Sequence, residues 1–242
     1  MSRQKSSAVL IAHGFTGSPH ELRSLAAYLE ERGLYVQLPT LPGHDTSPDE
    51  LLTNGPDAWL QALSEEYVRL KQVHDEVGLL GLSLGGSLAV RVAADVGPSF
   101  LVTIGAPVRL SYHQAMRVAL KIYRLITPDL VKPEKGFFAN EEIPGFTQRC
   151  YERVPIAAFE SMMGFLEQDM NPDTFRKIEA PALIIQGNHD PIVAPWSAQR
   201  LLDGLHSKEK RLLRWEDPFH LIVQGQRKHE LYQRIGEWIE NQ

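Results

Sequence analysis

The chain has a single cysteine, Cys150, among 242 residues. No disulfide can close within it, and a thiolate zinc site is excluded; both point to a reducing, cytoplasmic setting. Close clusters of histidine and carboxylate at metal-ligand spacing are also absent, so neither a metal nor a cofactor is expected. Long apolar runs are missing. Residues 1–7 are polar, the run at 8–12 is too short for the core of a signal peptide, and nothing approaches the ~20 apolar residues of a membrane helix. There is no excess of positive charge: 25 Lys and Arg stand against 30 Asp and Glu, a net charge of −5 that supplies no field for nucleic acid. Internal repeats and low-complexity tracts are lacking too. What remains, at 43% hydrophobic and 23% charged, has the make-up of an ordinary enzyme core, and its length fits one α/β domain with an insertion.

The stretch at 77–90, VGLLGLSLGGSLAV, organises the chain. Residues 77–82 form an apolar run suited to a strand buried on both faces, while Leu88, Ala89, Val92 and Ala93 recur at helical spacing. Ser83 therefore sits on a sharp strand-to-helix turn. Gly81 and Gly85 flank it because a Cβ at either place would clash where strand and helix meet: the pattern is a nucleophile elbow.

In chain order, a strand at 8–12 empties into HGFTGSP at 13–19. A helix follows, with Ser18 and Glu21 as a capping box, Pro19 at its first position, and a stripe of Leu22, Leu25, Ala26 and Leu29 before Gly33. A short strand at 35–38 leads to a loop through Pro39, Pro42, Pro48 and Pro56, then to a helix facing inward with Trp59, Leu63, Tyr67 and Leu70. After the elbow, a strand at 100–104 ends at Gly105-Ala106-Pro107. Between 108 and about 173 the strand-helix rhythm stops and aromatic and methionine residues gather: Met116, Tyr123, Phe137, Phe138, Phe146, Phe159, Met162, Met163 and Phe165. That segment reads as an inserted lid whose inner face covers an apolar site, although the same residues suit a small core of its own. The rhythm resumes with a strand at 182–186, a helix through Leu201, Leu202 and Leu205, a strand at 211–215, and a last helix through Leu231, Ile235, Trp238 and Ile239. The expected fold is α/β, a mostly parallel central sheet with helices on both faces. Its core is 1–107 plus 173–242, and 108–172 is a mainly helical lid.

Right-handed crossovers bring the C-terminal ends of parallel strands to one rim, where ligands bind. Ser83, Asp190 and His220 each follow an expected strand, in the order of a serine hydrolase of α/β type. Asp190 alone would read as a turn residue before Pro191. Asp217 is the rival acid, but it shares a turn with His220 and is too local to reach the far ring nitrogen.

On HGFTGSP (13–19), LPGH (41–44), GLSLGG (81–86), GNHD (187–190) and Phe219-His220, the sequence resembles the α/β-hydrolase superfamily, and within it bacterial carboxylesterases and monoacylglycerol lipases. The resemblance implies that Ser83 attacks an ester carbonyl while His220 takes its proton and Asp190 orients the imidazole. The Leu84 N–H at the elbow supplies one oxyanion donor, and matching HGF to the family pattern assigns the other to Phe15. The implied partner is a small ester with an apolar acyl chain. A thioesterase, amidase or C–C hydrolase with the same triad stays open, as does a ligand sensor that does not turn over. Dehalogenases and epoxide hydrolases of this fold use an aspartate nucleophile, against which Ser83 argues.

His13 and His44 match positions where a histidine braces loops. His20 is expected on the pocket wall, and His74, His113, His206 and His229 on the surface. Asp45 stands where the family often has glycine, Phe219 is expected to narrow the mouth of the site, and Cys150 reads as a packing thiol.

Overall fold

The structure, a computed structural model, describes residues 6–131 and 151–242. Phe137, Phe138, Phe146 and Cys150, singled out above, lie outside the described residues, as does most of the polar N-terminus. Six strands form one sheet: β1 (Ser7–Ala12), β2 (Tyr35–Gln37), β3 (Glu76–Leu82), β4 (Leu101–Ile104), β7 (Ala182–Gly187) and β8 (Lys210–Trp215). Their order is β2-β1-β3-β4-β7-β8 and every pairing is parallel. Two further strands, β5 (Asp129–Val131) and β6 (Arg153–Pro155), pair antiparallel outside this sheet.

The period of two along the buried strands divides the interior into two layers. Ala8, Leu10 and Ala12 join Val77, Leu79 and Leu101 on one face, which α3 (Pro56–Val73) and α4 (Leu84–Val96) cover through Trp59, Leu63, Leu70, Leu88 and Val92. Val9 and Ile11 join Leu80, Leu82, Val102 and Ile104 on the other. That face is covered by α1 (Arg23–Glu31) and α9 (Lys228–Glu240), through Leu25, Leu29, Leu231 and Ile235. Trp59 is wholly buried because its indole N–H finds the Pro42 carbonyl at 2.9 Å. The helix α8 (Ser197–Gly204) joins the first layer through Ala198 and Leu201.

Three local expectations are corrected. The capping box does not form: Ser18 makes no side-chain cap, and residues Pro19–Leu22 wind as a 3₁₀ turn before α1 begins. Proline at the first position fixes φ, but the tighter turn carries the Ser18 hydroxyl away from the N–H it would have capped. The proline-rich loop contains a short helix, α2 (Glu50–Thr53). His113 is buried rather than on the surface, its Nε2 2.8 Å from Glu167 Oε1, and His74 is half-buried against the Tyr35 ring at 4.8 Å. Asp45 adopts φ +55°, the left-handed region that glycine favours and aspartate tolerates better than most, so the turn survives the replacement.

The segment between β4 and β7 carries α5 (His113–Tyr123), the β5–β6 pair, α6 (Ile156–Asp169) and α7 (Pro172–Phe175). It is thus not purely helical among the described residues. Arg109 ties its two ends together, donating to the carbonyls of Val108, Leu166 and Met170.

Candidate active site

Ser83 links the last residue of β3 to the first of α4 with φ 55° and ψ −124°. A side chain held at positive φ costs about 1–3 kcal/mol, so the surrounding structure must enforce it. It does so from both sides: the Ser83 N–H donates to Ile104 O at 2.8 Å, and Ser83 O accepts from Gly86 N at 2.9 Å. Close approach explains the glycines. A Cβ on Gly81 would be driven into the Gly85 carbonyl, and one on Gly85 into the Ala12 carbonyl, in both cases far inside contact distance.

The parallel register aligns the strand ends, pairing Leu82 with Ile104, Ile104 with Ile185 and Gly187 with Trp215. The loops that follow β3, β7 and β8 therefore converge, and Ser83, Asp190 and His220 meet there. His220 Nε2 lies 2.8 Å from Ser83 Oγ, and His220 Nδ1 lies 2.7 Å from Asp190 Oδ2. Next to a carboxylate, Nδ1 carries the ring proton, which leaves the Nε2 lone pair to accept from the serine hydroxyl. The histidine and aspartate side chains are only 6% and 3% exposed.

Asp190 Oδ1 accepts the backbone N–H groups of Ile192 at 2.8 Å and Val193 at 3.1 Å, and Oδ2 also accepts Gln186 Nε2 at 3.1 Å. Burial alone would push this carboxyl up. The His220 charge and hydrogen bond, with the two backbone N–H groups, outweigh it and hold Asp190 below the usual carboxylate range. Asp217 is different: burial pushes it up, and its Oδ1 accepts the Phe219 N–H at 3.0 Å.

Leu84 is the first residue of α4, so its N–H has no acceptor within the helix and stands beside Ser83. The loop after β1 passes close by, since a Cβ on Gly14 would lie 3.4 Å from Ser83 Cβ. Phe15 follows, its ring among those of His44, Trp59 and Phe159 at 6.2, 6.0 and 5.9 Å. His13 holds this loop. Its Nδ1–H donates to Gly14 O at 3.0 Å, its Nε2 accepts the Leu41 N–H at 3.1 Å, and burial with His44 alongside lowers its pKa to about 3. Tyr151 adds a second tie, its N–H donating to Thr16 O at 3.4 Å and its hydroxyl to Gly43 O, in the neighbouring loop, at 2.8 Å.

A cavity of about 710 Å³ opens onto Ser83 and His220. Its apolar wall comes from Phe15 and from the segment after β4, through Met116, Leu120, Tyr123, Phe159 and Met162. Two expectations about this wall are corrected. His20 is not on it, whereas its neighbour Glu21, 4% exposed, is; and Phe219 does not line the mouth. A 3₁₀ turn rotates residues by about 120° where an α-helix gives 100°, which moves the side chain that faces inward.

Sequence reasoning missed two contributors. Gly105 holds φ +56°, a backbone conformation that calls for glycine, and lies against the imidazole, where a Cβ would sit 3.4 Å from His220 Cε1 in ordinary contact. Gln186 was passed over as one residue of a strand. The signal for it was present: a lone polar side chain in the wholly buried run ALIIQG, four residues before the aspartate.

The model of the alpha/beta hydrolase family matches residues 9–217. A carboxylesterase of Bacillus subtilis (strain 168) is 26% identical over 239 residues, covering 96% of this chain and 92% of its own. A thermostable monoacylglycerol lipase of Bacillus sp. (strain H-257) is 28% identical over 217 residues, 89% of this chain and 83% of its own. A solved structure reported for LipS and LipT, two metagenome-derived lipolytic enzymes, superposes with a TM-score of 0.87 at 26% identity, covering 98% of this chain and 95% of that one. With its elbow at the end of β3 and the family pattern running through nearly all of the sheet, the chain belongs to the alpha/beta hydrolase family.

Proposed function

We propose that the chain hydrolyses carboxylic esters with an apolar acyl group, as a carboxylesterase or monoacylglycerol lipase does, through an acyl-enzyme on Ser83. The observation that carries this reading is the placement of one imidazole between a serine hydroxyl and a charged carboxylate, at 2.8 and 2.7 Å. Ser83 Oγ attacks the ester carbonyl as His220 Nε2 takes its proton, and the Asp190 carboxylate steadies the imidazolium that forms. The carbonyl oxygen gains charge in the tetrahedral intermediate, and the N–H groups of Leu84 and Phe15 receive it. Collapse expels the alcohol, which takes the proton from His220. Water then enters by the same route and releases the acid.

The substrate class is supported by the wall of the cavity and by the names of the relatives. The described residues of 108–172 supply most of the apolar lining, which supports reading 108–172 as a lid over a core of 1–107 and 173–242. Phe15 serves twice, its N–H toward the oxyanion and its ring toward the acyl chain.

The test is turnover of p-nitrophenyl butyrate and of monoacylglycerols by the wild type, with loss by several orders of magnitude in Ser83→Ala and in His220→Ala. Stoichiometric labelling of the wild type by a fluorophosphonate, absent in Ser83→Ala, locates the nucleophile. A protein that binds these esters intact, with neither product nor label, overturns the proposal.

A further inference from the structure

Gln186 lies near the C-terminal end of β7, 1% exposed in a strand otherwise made of alanine, leucine, isoleucine and glycine. One end of its amide faces Asp190 Oδ2 at 3.1 Å and Gly187 O at 3.4 Å. Both neighbours are acceptors, so that end is the NH₂ group and the amide donates. Oδ2 is the oxygen that also takes the His220 Nδ1–H, at 2.7 Å. The two backbone N–H groups on Oδ1 anchor one side of the carboxylate and leave its plane free to turn. The donor on Oδ2 stops that rotation and keeps a lone pair aimed at the imidazole. Without it Oδ2 keeps only the His220 Nδ1–H, in a side chain 3% exposed where no solvent replaces the lost bond to a charged oxygen.

We propose that Gln186 is a positioning residue for the Asp190–His220 pair, fixing the plane of the Asp190 carboxylate against the imidazole. The inference rests on the serine-hydrolase reading above. Gln186 is not on the cavity wall, so its contribution falls on the chemical step and not on substrate binding. The ionisable group that this amide bonds is Asp190, which in turn holds His220. Asp217, on the loop after β8, is turned to the Phe219 N–H, and His189 and Glu216 face each other at 3.7 Å on the exposed rim.

Two variants test it. Gln186→Met keeps the volume and removes the donor. Its kcat for p-nitrophenyl butyrate is expected to fall about ten- to a hundredfold, the worth of one hydrogen bond to a charged group, with KM within about twofold of wild type. Gln186→Glu sets a second carboxyl against Asp190. It donates to Oδ2 while protonated and repels once ionised, and the like charge raises that ionisation well above the usual range. Its pH-rate profile therefore gains a descending limb between about pH 6 and 8 that the wild type lacks. Should Gln186→Met fail to melt cooperatively, the Glu profile carries the test alone. A folded Met variant with wild-type kcat, or a Glu variant with a wild-type profile, overturns the assignment. A wild type that neither turns over ester nor takes a fluorophosphonate sinks the hydrolase reading and this inference with it. A wild type that does both, beside two indifferent Gln186 variants, sinks only the role of Gln186.

Discussion

Asp217 Oδ1 accepts the backbone N–H of Phe219 at 3.0 Å, which commits this carboxylate to bracing the turn that presents His220. The neighbouring acid, Asp190, instead reaches the imidazole from a different strand end. Asp190→Asn, which cannot hold Nδ1 in its donor tautomer, is expected to lower kcat by about 10⁴. Asp217→Asn keeps an oxygen for the Phe219 N–H and is expected to lose less than about tenfold. Steady-state kinetics of the pair decide it, and the reverse ranking makes Asp217 the acid.

The crossing of strand and helix at the elbow leaves no space at Gly85, where an added methyl group meets the Ala12 backbone carbonyl. Backbone cannot swing aside as a side chain can. Gly85→Ala is therefore expected to cost more than about 3 kcal/mol in urea unfolding, or to prevent folding altogether. Gly164, inside α6, meets nothing within 4 Å of such a methyl group, and Gly164→Ala is expected to stabilise by about 0.5–1 kcal/mol.

His13 is buried neutral, with burial and then His44 holding its pKa down to about 3 against 6.5 when unfolded. Below pH 6.5 the unfolded chain binds a proton there that the folded one refuses. The stability His13 contributes is thus complete above pH 6.5 and is lost as pH falls toward 3, at up to about 1.4 kcal/mol per pH unit. Urea titrations at pH 7.5 and 5.0 should show a loss that shrinks by about 2 kcal/mol in His13→Gln. An equal loss in both proteins would falsify the linkage.

Met162 is 3% exposed and forms part of the cavity wall on α6. Met162→Trp shortens the space for the acyl chain. Each methylene excluded forfeits about 0.8 kcal/mol of transfer energy, so two lost carbons lower kcat/KM for a long ester about fifteenfold against butyrate. A panel of p-nitrophenyl esters of graded length reads this directly, and an unchanged ratio removes Met162 from the acyl site.

The sheet and the rim were legible because their signals are local and repeated. Apolar runs at 8–12, 77–82 and 182–186 announce buried strands, and the helical stripes at Trp59–Leu63–Tyr67–Leu70 and Leu231–Ile235–Trp238 announce what covers them. Ser83 could be read from its glycines, since sterics at that crossing admit nothing larger. His20 and Glu21 were misassigned because choosing between a 3₁₀ and an α turn depends on a rotation that no residue in SPHEL signals. His113 looked exposed because its partner, Glu167, is 54 positions away in the chain. The Gln186 amide stands out as the one polar residue in the buried run ALIIQG, but its partner could not be read there, since where β7 ends decides that it meets Asp190.

Among the described residues, the hydrogen bonds of Ser83 Oγ, of the His220 ring and of the Asp190 carboxylate stay within β7 and the turns that follow β3, β7 and β8, reaching 83, 186, 190, 192, 193 and 220. None of them involves the segment between β4 and β7 that furnishes most of the cavity wall. Under the proposed mechanism, reactivity and selectivity are therefore separable by a graft that replaces 112–172 and keeps residues 109–111, whose backbone pairs with 192–194 beside Asp190.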